Sequence, residues 1–146
     1  MSYVRQLRAL VGPRPVNWVG VCALVLNHSG EVLLQRRTDT GGWGTLGGLC
    51  ELGERLDDAL RREVQEEAGI RVLQAELLTV VSGPETFVRL PNGDEFYQYA
   101  AVYRVSDWTG TPMADGDEGS ELRFFAPERL PQGLGPVDRQ ALALLR

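Results

Sequence analysis

The chain has 146 residues, 43% of them hydrophobic and 24% charged, which suits one globular domain, residues 1–146, able to bury a core without disulfides or structural metal. Its formal net charge of -5 argues against sequence-independent nucleic-acid binding, because a phosphate backbone rewards basic proteins. No stretch approaches the ~18 apolar residues of a membrane span. Met1 to Leu10 carries Arg5 and Arg8 without the apolar run of a signal peptide, so a cytoplasmic location is expected.

Tyr3 to Val11 is predicted as a short helix, stopped by Gly12-Pro13-Arg14-Pro15. Val16 to Asn27, rich in Val, Leu and Trp, reads as a buried strand. His28-Ser29-Gly30 is a turn, and Glu31 to Arg37 returns as a second strand, so the two are expected to form a hairpin. Thr38 to Gly48, with five glycines, reads as a loop. Leu56 to Ala68 is helical, with Gly69 as its terminating residue. Val72 to Ser82 is a strand. Phe87 to Leu90 and Glu95 to Val105 flank Pro91-Asn92-Gly93-Asp94, a strong hairpin signal. A polar loop over Asp107 to Ser120, a short strand over Glu121 to Phe125 and a helix over Val137 to Leu145 complete the chain. Hairpins mixed with a few helices imply an α+β fold, a mixed sheet with helices on its faces.

The cysteines, Cys22 and Cys50, match no zinc spacing and form no disulfide framework. Cys22 sits in an apolar run and reads as a small core residue. Cys50 reads as packing, and the lone histidine, His28, carries no assigned role.

The helix over Leu56 to Ala68 carries the chemistry. At about 100° per residue, with Glu63 at zero, Glu67 falls near +40° and Glu66 near -60°. Leu56, Leu60, Val64 and Ala68 spread over roughly +20° to +140°, marking the core stripe. Glu67 therefore lies at the edge of the buried stripe, where a lone carboxylate is costly. Like charges four residues apart also oppose one another on a helix. Arg62 supplies part of the balancing charge, and a hard divalent cation, which prefers oxygen ligands, would supply more. Ahead of the helix, Gly47-Gly48-Leu49-Cys50-Glu51-Leu52-Gly53-Glu54 joins two glycines, which allow close backbone approach, to two more carboxylates.

From Gly48 to Ile70 these residues resemble the Nudix box of the MutT-like hydrolases. Gly48, Glu54, Arg62, Glu63, Val64, Glu66, Glu67, Gly69 and Ile70 fill its fixed positions. The resemblance implies the Nudix fold, a mixed β-sheet packed between helices (an α/β/α sandwich). It also implies Mg²⁺- or Mn²⁺-dependent hydrolysis of a pyrophosphate bond in a nucleoside diphosphate linked to another group. By the same resemblance Glu63, Glu66 and Glu67 are metal carboxylates, the Gly47 carbonyl is a further ligand, Arg62 orients the glutamates and Glu54 is an outer contact. Glu63 is one candidate base, and Glu118 and Glu121 are candidates for an added ligand or base from a later loop. Leu46 stands where the family usually has proline, and Thr45 where an apolar residue is common.

Substrate identity stays open between a nucleoside triphosphate, an ADP-ribose-like compound and a dinucleoside polyphosphate. Pro84 resembles the downstream proline of the ADP-ribose group at a slightly short offset. Phe87 stands where the dinucleotide group has tyrosine. Trp43, Phe87, Tyr97, Tyr99 and Trp108 are candidates to stack a base, and Arg36, Arg37 and Arg89 to hold outer phosphates. The partner is thus a small nucleotide-type molecule, and a homodimer is the default assembly. The alternative is a non-catalytic Nudix-fold nucleotide-binding or regulatory module, which would typically have lost box glutamates.

Overall fold

The structure, a computed structural model, describes residues 2–146. Three α-helices, α1 (Tyr3–Val11), α2 (Leu56–Ala68) and α3 (Pro136–Ala143), accompany seven strands. These are β1 (Val16–Val25), β2 (Val32–Arg37), β3 (Trp43–Leu49), β4 (Arg71–Val81), β5 (Phe87–Arg89), β6 (Glu95–Thr109) and β7 (Gly119–Phe125), in the order β4-β6-β1-β3-β2-β7 with β5 against β6. β1 and β6 run parallel and the other pairings are antiparallel, so the sheet is mixed.

Side-chain alternation along β1 divides the core in two. Val21, Ala23 and Val25 join Leu46 under Ala59, Leu60, Val64 and Ala68 of α2. Cys22 and Leu24 join Leu34 and Val102 against Val137, Ala141 and Leu142 of α3. Helices therefore cover both faces of the sheet. Asp57 and Asp58 in the first turn of α2 suit its positive end. Gly69 ends that helix at φ 68°, a left-handed conformation that an L side chain resists.

The first two strands do not form the hairpin expected of them. The segments meet at their turn, through the bridge between Leu26 and Val32 and the Asn27–Glu31 hydrogen bonds, and then part because β3 lies between β1 and β2. β3 occupies most of what glycine content marks as a loop. Two of its glycines answer to close approach within a strand. At Gly47, φ 145°, a Cβ would collide with the Val21 carbonyl of β1. At Gly48 a Cβ would lie 2.6 Å from both carboxylate oxygens of Glu63. The polar loop after β6 is shorter than expected, since β6 runs on to Thr109 and β7 already begins at Gly119.

Candidate active site

Glu63 and Glu67 emerge from the core-facing edge of α2 beneath β3, and only 7% and 2% of their respective surfaces are exposed. Both oxygens of Glu67 are engaged. The Gly47 N–H donates to Oε1 at 2.7 Å, and Gln35 Nε2 of β2 donates to Oε2. Burial nevertheless pushes the Glu67 carboxyl up to about 8, against those hydrogen bonds and assisted by the charges of Glu63 and Glu118. Burial likewise pushes Glu63 up to about 7, opposed by Arg62 and reinforced by Glu118 and Glu66.

Arg62 clamps the outer side of this pair. Its Nε and Nη2 each donate to Glu54 at 2.8 Å, a two-pronged contact that matches the guanidinium fork. Nη1 donates to Glu63 Oε1 at 2.8 Å, and Nη2 also donates to the Leu49 carbonyl at 3.1 Å. This hydrogen bonding holds Glu54 below the usual carboxylate range and raises Arg62 further. Glu54 in turn accepts the Glu51 N–H at 3.0 Å, and Glu51 accepts the Tyr3 N–H at 2.9 Å. The start of α1 is thereby tied to the loop before α2.

The third carboxylate comes from the turn before β7. Asp115 Oδ1 accepts the N–H groups of Asp117, Glu118 and Gly119 at 2.9, 3.1 and 3.1 Å. From the end of β2, the Thr38 N–H donates to the Glu118 carbonyl at 3.0 Å. So held, Glu118 brings an oxygen to Glu63 and Glu67, with ligand atoms of all three within 4.8 Å of one another. Its carboxyl is pushed upward by burial and by Asp115 and Glu66. Three oxygen donors converge here, two of them buried and all shifted toward the protonated form chiefly by burial. That chemistry fits a hard divalent cation.

The other predicted residues fall outside this triplet. Glu66 is more than half exposed and stands 3.4 Å from Arg62 Nη1. Glu121 pairs with Arg123 at 2.6 Å on the surface of β7. Arg36 and Trp43 are register partners on β2 and β3, with the guanidinium 5.9 Å from the indole centroid. Phe87 and Tyr99 lie on β5 and β6, across β1 from β3, and Phe87 makes an edge contact with Tyr97. Of the candidate substrate contacts, these four thus form two separate groups. Tyr103 turns into the core, and the indole of Trp108 donates to the Leu26 carbonyl at 2.8 Å.

Sequence reasoning missed Gln35, whose signal was a lone amide following Val32-Leu33-Leu34 in an apolar strand. It also missed Asp138 at the start of α3, which accepts from Thr45 Oγ1 at 2.6 Å and is shifted upward by burial. Nothing in the local pattern around Asp138 distinguishes it from an ordinary acid in a first helical turn.

A family model described as the NUDIX domain matches residues 16–145. The chain belongs to the Nudix family. This Nudix hydrolase is 40% identical over 131 residues to nucleoside triphosphatase NudI of Escherichia fergusonii, a match covering 85% of this chain and 93% of that one. An ADP-ribose pyrophosphatase of Methanocaldococcus jannaschii is 29% identical over 111 residues, covering 74% of this chain and 62% of that protein. The crystal structure of a MutT NUDIX hydrolase from Burkholderia pseudomallei superimposes with a TM-score of 0.75 at 32% identity, over 88% of this chain and 97% of the other. The chain is accordingly a pyrophosphohydrolase of the Nudix type. No helix among the described residues is long and apolar enough to cross a membrane.

Proposed function

We propose that this Nudix hydrolase cleaves a phosphoanhydride bond of a nucleoside triphosphate, with Mg²⁺ or Mn²⁺ held by Glu63, Glu67 and Glu118. The convergence of those three carboxylates at the glycine face of β3 carries the reading. A divalent cation bound there would neutralise phosphate oxygens and acidify water. Glu66 and the Gly47 carbonyl are its outer candidates.

The protein's own contribution is positional. Arg62 and Gly47 fix the two buried carboxylates, and the missing Cβ of Gly48 leaves room for Glu63 beside the backbone. Glu63, held by the Arg62 Nη1 donor at 2.8 Å beside the cluster, is the candidate to accept the proton of the attacking water. Arg37 stands near enough to Glu67 and Glu118 for their charges to be felt mutually. It is the cation we assign to the outer phosphates, ahead of the exposed Arg36. The triphosphate assignment is supported by the near-full-length likeness to NudI. ADP-ribose remains the comparison substrate.

Purified protein is assayed with nucleoside triphosphates, ADP-ribose, diadenosine polyphosphates and nucleotide sugars, with Mg²⁺, Mn²⁺ or EDTA, beside Glu67→Gln. Cation-dependent pyrophosphate or phosphate release from triphosphates, lost in Glu67→Gln, is expected. Equal turnover in EDTA, or an unaffected Glu67→Gln enzyme, would remove the cation role. Faster cleavage of ADP-ribose than of any triphosphate would replace the substrate class.

A further inference from the structure

Gln35 is the one buried side chain outside the box that bonds directly to a cluster carboxylate among the described residues. It lies in the middle of β2, 3% exposed, on the α2 face with Leu33. Its Nε2 donates to Glu67 Oε2, while Gly47 holds Oε1 from the other side. A carboxylate pinned at both oxygens has its plane fixed, and here one of its oxygens lies within 4.8 Å of ligand atoms of Glu63 and Glu118. The amide is neutral, so it orients Glu67 without cancelling its charge. Lys or Arg at this position would bind the same oxygen but compete with a cation for it.

Two further observations show that this placement is specific. Gln35 Oε1 is buried and has no hydrogen-bond partner. Turning the amide over would set that oxygen against Glu67 Oε2, so the observed orientation keeps the donor on the carboxylate and leaves the acceptor unsatisfied, an arrangement with a free-energy cost. Oε1 instead faces Gly119, where a Cβ would lie 2.5 Å away. Gly119 follows Glu118 directly, so Gln35 is wedged between α2 and the turn that delivers the third carboxylate.

We infer that Gln35 is a positioning residue for the carboxylate cluster, setting the orientation of Glu67 and its spacing from Glu118, and so the affinity for a divalent cation. The inference rests on the cation role proposed above for those carboxylates. Mn²⁺ binding is followed by electron paramagnetic resonance at fixed pH, with thermal melting and nucleotide steady-state kinetics alongside. Gln35→Met keeps the side chain's length and removes both the donor and the unpaired oxygen. It is expected to melt no lower than wild type, bind Mn²⁺ about tenfold more weakly, and lose kcat with nucleotide KM unchanged. Gly119→Ala leaves every carboxylate and Gln35 in place but pushes on the amide, and is expected to weaken Mn²⁺ binding in the same direction.

Wild-type Mn²⁺ affinity in folded Gln35→Met overturns the inference. Should Gln35→Met not fold, wild-type affinity in Gly119→Ala overturns it instead. Glu67→Gln separates the two levels. If it binds Mn²⁺ as wild type does, the cation site itself is misplaced and both readings fall; if it loses Mn²⁺ while Gln35→Met does not, only the role of Gln35 falls.

Discussion

Removing the charge of Glu67 should stabilise the cation-free protein at alkaline pH. Its carboxyl is shifted from 4.5 to about 8 and that of Glu63 from 4.5 to about 7, both chiefly by burial. Each raised group binds its proton more tightly folded than unfolded. Stability from this source is therefore complete below about pH 4.5 and is lost as pH rises through 7 to 8. At 1.36 kcal/mol per pH unit, the Glu67 shift alone corresponds to about 5 kcal/mol. Repulsion by Glu63 is part of the Glu67 shift, so that figure applies where Glu63 is also ionised. For a chain of this size that is roughly 10 to 20 °C in melting temperature.

In Glu67→Gln the new amide can accept from Gly47 and donate to Gln35, once the Gln35 amide turns over and finds a partner for its unpaired oxygen. Melting followed by circular dichroism in EDTA should give near parity with wild type at pH 5. At pH 9 the variant should melt well above wild type. Adding Mn²⁺ at pH 9 should raise wild type and leave the variant unchanged. Parallel pH profiles for the two proteins in EDTA would refute the reasoning, because the ionised Glu67 would then not be the strained group.

Two other substitutions probe the frame around the cluster. Gly48→Ala places a methyl group inside the Glu63 carboxylate and should lower kcat about 100-fold, the scale of an ångström's misplacement; a wild-type rate would mean that Glu63 is free to move. Arg62→Met strands Glu54 and Glu63 and should cost about 2 kcal/mol at pH 7, below the 3–5 typical of fully buried pairs because these are part-exposed. Glu54 is held below its ordinary range, so its share is present above about pH 4.5 and lost as pH falls. Urea denaturation should therefore show wild type and Arg62→Met converging in acid, and a gap that persists at pH 3 would contradict the assignment.

Local pattern was enough to mark out the chemical helix. The 3.6-residue period put Glu67 at the rim of the apolar stripe of α2 with Glu63 on the same side, and Gly69 ends the helix where a left-handed turn is needed. The spacing from Gly48 to Ile70 points to the family without any tertiary contact. These are one-dimensional properties, since helix geometry relates neighbours three and four apart without knowledge of the rest of the fold.

Tertiary structure decided everything that depends on which strands become neighbours. Glycines at 47 and 48 have the local pattern of a loop, and only the packing of β3 between the Val21 carbonyl and the Glu63 carboxylate makes them strand residues. Glu118 and Glu121 looked equivalent in sequence. Only the Asp115 turn and the Thr38 contact carry Glu118 to the cluster, while Glu121 stays with Arg123 on the surface. Gln35 and Glu67 are 32 residues apart, and no local period relates them. Their contact exists because β2 is placed beside β3 under α2, a choice made by packing the whole core.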